Sequence, residues 1–468
     1  MNVAHAPMLA GLLGPGGDGI ARSIGAASHF LRSHDAPSLL SRVGETIDSV
    51  PAAGHLDKRF IQASYRGDLS SPPDDLLAGL GLFYITEQRK LFLDCTAGHY
   101  QMTWGYHHPQ LDALVREAGD VGIVWDDHSN IPGAPVKRLS AKLVEVANGI
   151  DGDASHLLGD DRALNTVLLG VCTGSVAASS ALKLALRHHQ ETRPGAGPVW
   201  ITLTGNYHGT DFLAQRLRGM WPDYLRDVEV VQVEPNDLEA LRGAFRTHRG
   251  RVAALLAEPV LMNREAILLE IDFLREARDL CDESDACLIL DEIQTGFWCP
   301  EVFMFRRYGI VPDMVICGKG MTAGFHPLSA VVYRRRYDRL AQYDAISTNG
   351  GAPLAALVAL GCLALIEENR KRIGDVAAHY AACLHEVQTA HPERLMAIHG
   401  WGLMSGLKFR EVADALAFHR RCLELGLWVR AHTYHAGHST VLTKLGLLAD
   451  RQVVDFIAEK FHAILSGR

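Results

Sequence analysis

Hydrophobic runs long enough to cross a bilayer are missing from this 468-residue chain, where no stretch approaches the roughly 18 apolar residues of a membrane span. A basic excess is missing too. Lys and Arg number 46 against 54 Asp and Glu, a formal balance of −8, which argues against the positive footprint of a nucleic-acid binder. None of the nine cysteines belongs to a CxxC pair, so neither a disulfide frame nor a cysteine-rich zinc site is indicated. The 23 histidines include no HExxH spacing, which removes one signature of a zinc hydrolase. No basic start followed by a long apolar run opens the sequence. A soluble, cytoplasmic protein with reduced thiols is therefore expected.

What is present is ordinary globular material, 48% hydrophobic and 21% charged, enough for a sizeable core and roughly two domains. Residues 1–80 read as irregular between the breakers Gly14-Pro15-Gly16-Gly17 and Ser70-Ser71-Pro72-Pro73, with helix expected over Ala27–Val43. This leader is expected to be an arm laid across a partner subunit. A hairpin is predicted over Leu82–Thr86 and Leu91–Asp94, and helices over Pro109–Ala118 and Val136–Ala147. From Thr166 onward short apolar runs alternate with amphipathic helices, which indicates an α/β sheet covered on both faces. Two long helices are predicted over Ala352–Asn369 and Ile373–Ala390, followed by a smaller α+β unit.

Four segments carry chemistry. The apolar run Cys287–Leu290 leads into Asp291-Glu292-Ile293-Gln294, placing a carboxylate at a strand's C-terminal edge, where open α/β sheets bind ligands. Met314–Cys317 leads into Gly318-Lys319-Gly320, a lysine between glycines that permit close backbone approach. Cys172-Thr173-Gly174-Ser175 turns a strand into a helix whose exposed amides suit a phosphate, although an ordinary N-cap looks the same. Asn206-Tyr207-His208-Gly209 offers an aromatic that can stack on a planar ring or simply fill the core.

In this order and spacing, these segments resemble the class III aminotransferases, pyridoxal-phosphate enzymes of fold type I. The resemblance runs from about Leu80 to near the C-terminus and is densest over Val252–Val332, with Ala257-Glu258-Pro259-Val260, Val311-Pro312-Asp313 and Ala323-Gly324-Phe325-His326-Pro327 beside the segments above. It implies a large, mixed, mostly parallel sheet domain and a smaller α+β domain. The implied division is an arm over 1–80, the start of the small domain over 81–125, the large cofactor domain over 126–354 and the C-terminal small domain over 355–468. The implied cofactor is pyridoxal 5′-phosphate. Lys319 would form the Schiff base and move the proton, and Asp291 would pair with the pyridine nitrogen. Gln294 would meet the phenolic oxygen, with Ile293 and Tyr207 on opposite ring faces and His208 beside them. Thr173, Gly174 and Ser175 would hold the phosphate together with Thr348 from the partner of a homodimer with shared sites. Glu258, His99, Tyr100, Trp104 and Arg430 would face an amine or oxo substrate.

The chain departs from that family at several points. Val176 and Ser179 stand where Glu is usual, and Trp298-Cys299-Pro300-Glu301 replaces a Gly-Arg-Thr-Gly. No Arg-x-x-Pro-Pro-Leu is recognisable in Thr440–Leu447, so the usual carboxylate-gripping arginine has no counterpart there. The resemblance implies amino-group transfer on an altered substrate. The alternatives are racemisation, epimerisation or another isomerisation of an amino compound, and a non-catalytic binding protein of the same fold.

Overall fold

The C-terminal edges of five parallel strands position everything that matters for function. The computed structural model describes residues 7–53, 58–63, 75–126, 131–433 and 435–467; the expected breaker Ser70–Pro73 lies outside them. Its strands are β1 (Leu76–Leu80), β2 (Phe83–Thr86), β3 (Leu91–Asp94), β4 (Thr166–Val171), β5 (Val199–Leu203), β6 (Glu229–Val233) and β7 (Val252–Ala257). A short hairpin, β8 (Val260–Leu261) and β9 (Ile267–Leu268), precedes β10 (Cys287–Asp291), β11 (Met314–Cys317) and β12 (Ser329–Tyr333). The C-terminal part adds β13 (Leu395–Trp401), β14 (Met404–Phe409), β15 (Leu427–Trp428), β16 (Arg430–His432) and β17 (Thr440–Lys444).

The central sheet has the order β4-β12-β11-β10-β7-β5-β6. Pairings from β11 through β6 are parallel, and only β12 runs against its neighbours. This is the mixed, mostly parallel sheet expected. Strands β7, β10 and β11 are buried along their whole length, as helix-covered parallel strands must be. Successive residues alternate between two cores. Leu255, Leu288, Leu290 and Val315 pack on one side, and Leu256, Ile289 and Ile316 on the other.

Register then aligns the chemistry. Leu290 pairs with Ala257 and Asp291 with Ile316. Glu258, Asp291 and Lys319 therefore leave neighbouring strands at one edge. Asp313, fully buried, bonds Arg278, Arg334 and Arg336 and accepts from Leu288 N, so the Pro-Asp motif before β11 anchors that strand rather than the site.

Three expectations needed correction. The leader contains a helix over Gly17–Ser33, then Ala36–Ser41, and a strand, β1, that pairs with β2. The breaker Gly14-Pro15-Gly16-Gly17 does separate two helices, Pro7–Leu12 and Gly17–Ser33, with Gly16 at a φ of 86° as the cap of the second. The helix ends at His34 because Asp35 caps the next one, its Oδ1 accepting from Ser38 N at 2.9 Å. The two long helices are one, Pro353–Ala390. Its polar middle lacks a proline, and Arg372 there binds the carbonyls of Leu447 and Ala449.

Candidate active site

Lys319 begins a single tight turn directly after β11, with a left-handed φ of 41°. Such a conformation strains a residue with a side chain. The neighbouring glycines are required by contact. A Cβ on Gly318 would overlap the Ser329 hydroxyl, and one on Gly320 would overlap the Trp298 indole. Burial pushes the Lys319 pKa down from its ordinary value, against the pull of Asp291 and Glu258, and the Arg430 charge adds to the lowering. A less protonated amine is what a nucleophile or proton acceptor needs.

Asp291 ends β10 almost fully buried. Its Oδ1 accepts from Ile293 N at 3.0 Å, and its Oδ2 lies 2.7 Å from His208 Nδ1. A carboxylate oxygen accepts, so His208 donates through Nδ1, and among the described residues its buried Nε2 has no hydrogen-bond partner. Glu258, 2% exposed, accepts from Tyr207 N at 2.8 Å and from Gln294 Nε2 at 3.4 Å. Burial, reinforced by the Asp291 charge, pushes its carboxyl up to about 7. Two adjacent buried carboxyls thus serve different ends. Asp291 faces the cavity, while Glu258 ties two loops together.

These groups open onto a cavity of about 450 Å³. The N-terminus of the helix Gly174–Thr192 supplies Gly174 and Ser175 to its wall. Ser175 Oγ accepts from Thr210 N at 3.1 Å, and the absence of a side chain at Gly209 leaves that hydroxyl its room. His99, Tyr100, Tyr207, His208, Asp291, Ile293, Gln294, Lys319 and Arg430 all line the same cavity. Ala97, Gly98, His99 and Tyr100 all have positive φ, an unusual left-handed turn at roughly 1–2 kcal/mol per non-glycine residue. Arg430 Nη1 lies 2.7 Å from His99 Nε2. Burial and the charges of Arg430 and Lys319 push His99 down to about 4, so it stays neutral.

Three expected residues stand off the main cavity. Thr173 caps its helix through Val176 N and lines an adjoining hollow of about 300 Å³ that shares Gly174 and Lys319 with the main cavity. Glu258 backs the cavity without lining it. Trp104 is 1% exposed and packs on His108, so it is a core residue and not a wall of the cavity. Thr348, expected at a partner's site and not at its own, is exposed, on a segment tied to Gly170 by Ser347.

Sequence reasoning missed Arg218 and Asn263, which line the cavity from loops after Phe212–Leu217 and β8. It also missed Lys444. This lysine is fully buried at the end of β17, donates to the Gln294 carbonyl and stands 3.4 Å over the Trp298 ring. Burial and nearby Lys319 push its pKa well below normal. A lone lysine within the apolar run Val441–Leu448 was the available signal for it.

A family model described as "Aminotransferase class-III" matches residues 76–465. The chain belongs to that family. It is a pyridoxal-phosphate-dependent class III aminotransferase of fold type I. Acetylornithine aminotransferase of Agrobacterium fabrum is 30% identical over 350 residues, covering 71% of this chain and 80% of that one. Ornithine aminotransferase of Bacillus subtilis is 26% identical over 401 residues, covering 82% and 91%. Among solved structures, a transaminase from the marine bacterium Virgibacillus superposes with a TM-score of 0.75 at 20% identity, covering 88% of this chain and 97% of that one. The ornithine aminotransferase from Toxoplasma gondii ME49 gives 0.75 at 23% identity, covering 88% and 94%.

The aminotransferase cavity fits the family cofactor on its own chemistry. It offers an amine of lowered pKa, a buried carboxylate with a fixed partner, an aromatic wall and a helix N-terminus facing one space. Gly174 adds to the fit, since a Cβ there would crowd Ile293 Cδ1 at 2.9 Å.

Proposed function

We propose that this aminotransferase moves an amino group between carboxylate-bearing donors and acceptors, with Lys319 as its proton-moving amine and Asp291 as the anchor of the ring nitrogen. The observation that carries this reading is the meeting of Lys319 with the buried Asp291–His208 pair at one cavity edge. Pyridoxal phosphate, when bound, supplies the aldehyde that captures a primary amine and the ring that accepts the electron pair left by a departing proton. Asp291 would pair with the ring nitrogen, and His208 keeps that carboxylate oriented. Gln294 presents its side chain to the same cavity, tied to Glu258 through its amide. Gly174 and Ser175 offer backbone and hydroxyl donors at a helix N-terminus, a natural phosphate seat. Tyr207 and Ile293 supply the flat, apolar walls.

For the substrate, Arg218 and Arg430 place two guanidinium groups on the cavity wall. A carboxylate is their natural counter-ion. This supports an amino acid and an oxo acid as the exchange partners, in keeping with the relatives' named activities on acetylornithine and ornithine. The exposed Thr348, held away from its own cavity, supports a homodimer in which it completes the partner's phosphate seat. Among the described residues no helix is long and apolar enough to cross a membrane. A cytoplasmic location belongs to the same proposal, supported by nine cysteines that are all free thiols.

The test is direct. Borohydride treatment of the loaded enzyme, followed by peptide mapping, should place a pyridoxyl group on Lys319. Lys319→Ala should abolish turnover. A label on another lysine, or an active variant, would refute the assignment.

A further inference from the structure

Two helices of the C-terminal part bring a thiol, an imidazole and a carboxylate to one point. His379 and Cys383 are four residues apart on Pro353–Ala390 and so share a face. Asp455 comes from Arg451–Leu465, which packs against that helix. His379 Nε2 lies 2.6 Å from Asp455 Oδ1 and 3.7 Å from Cys383 Sγ, and Sγ lies 4.0 Å from Oδ1. Cys383 is buried, His379 half-buried and Asp455 exposed. None of the three lines the active-site cavity.

A surface ion pair between His379 and Asp455 needs no third group. The thiol converging on the same two atoms is the feature such a pair leaves unexplained. We propose that His379, Cys383 and Asp455 bind a zinc-class divalent ion that clamps the terminal helix to the long one.

The spacing suits such an ion. Tetrahedral zinc, with bonds of about 2.3 Å to sulfur and about 2.0 Å to nitrogen or oxygen, holds its ligand atoms roughly 3.3–3.6 Å apart. The three observed separations lie within about 0.7 Å of that range. Only the His379–Asp455 contact must open, and the exposed Asp455 is free to turn. Thiolate, imidazole and carboxylate together select zinc or cobalt over magnesium and calcium, which prefer oxygen alone. Water takes the fourth position on the solvent side.

The protons balance simply. The Cys383 S–H bond breaks as the metal–sulfur bond forms, and the proton leaves to solvent. His379 binds through Nε2 with its remaining proton on Nδ1.

The experiment uses the loaded enzyme after chelator dialysis, titrated with Co²⁺ and then Zn²⁺. One equivalent of Co²⁺ per chain should give thiolate-to-cobalt absorption and the d–d bands of four-coordinate cobalt, both discharged by one equivalent of Zn²⁺. Difference spectra against Cys383→Ser, which carries the same cofactor and the other eight cysteines, remove the background. That variant should lose the thiolate band and bind about tenfold more weakly or worse. His379→Ala and Asp455→Asn, at less buried positions, should weaken binding too. Zn²⁺ should raise the melting temperature of the parent and not of the variants, and transaminase activity should be unchanged in all three. Absence of bound metal in the parent, or the same stoichiometry and spectrum in Cys383→Ser, overturns the proposal.

Discussion

His208 Nδ1 stands 2.7 Å from Asp291 Oδ2, and both side chains are closed to bulk solvent. One oxygen of Asp291 is thereby fixed by a side chain and the other by the Ile293 amide. His208→Ala removes the first restraint while leaving the carboxylate in place. Turnover should fall roughly 10- to 100-fold, the scale on which partners orienting an active-site group act, and cofactor affinity should fall with it. Steady-state kinetics and cofactor titration check this. An unaltered variant would make the histidine a packing residue.

Gly320 faces Trp298 and the Thr103 hydroxyl so closely that a Cβ cannot be added without movement. Gly320→Ala should therefore destabilise the fold by about 1–3 kcal/mol, the range for overpacking. Trp298→Leu opens the space, so the double variant should lose less than the sum of the two single changes. A denaturant double-mutant cycle reads that coupling directly. Strict additivity would mean the two residues yield independently.

Much of this was legible in the residues themselves. Asp291 and Lys319 follow uninterrupted apolar runs, and parallel-strand register brings such run ends together. Gly174 and Ser175 announced a helix N-terminus in the same way. What stayed hidden depends on contacts between distant segments. Leu76–Leu80 carries no β-branched residue and becomes a strand through pairing with β2. Arg218 drew no notice because nothing local says its helix ends at the cavity mouth. Trp104 looked like a wall because its signature segment reaches the substrate entrance, while its indole turns inward onto His108. Lys444 was masked because the family's arginine pattern is absent there, although strand alternation carries a cation to the back of Gln294.

Arg430 reaches the cavity beside His99, which burial and neighbouring charges keep neutral, and among the described residues it forms no ion pair. A charge-assisted contact with a carboxylate is worth roughly 1.5–3 kcal/mol. Arg430→Ala should then raise KM for amino-acid donors about ten- to hundredfold, with little change for amines lacking a carboxylate. A donor panel measures the split. Equal losses on both groups of donors would assign Arg430 to the architecture of the cavity instead.

Glu258 sets a pH signature in stability. Its carboxyl is raised in the folded protein from an ordinary 4.5 to about 7, first by burial and then by the Asp291 charge. The folded chain therefore keeps this proton where the unfolded chain has released it. A group of that kind stabilises most fully below about 4.5, and its share is lost as pH rises to about 7. Glu292 is raised to about the same value while accepting from Met304 N and Phe305 N, so the parent alone cannot isolate one group. Glu258→Gln can, because the amide oxygen still accepts from Tyr207 N and no longer titrates. The stability difference between parent and variant, from urea unfolding at about pH 5 and about pH 8, should favour the parent more at the lower pH. A difference independent of pH would show that Glu258 is already ionised in the fold, held by a partner other than Tyr207 and Gln294.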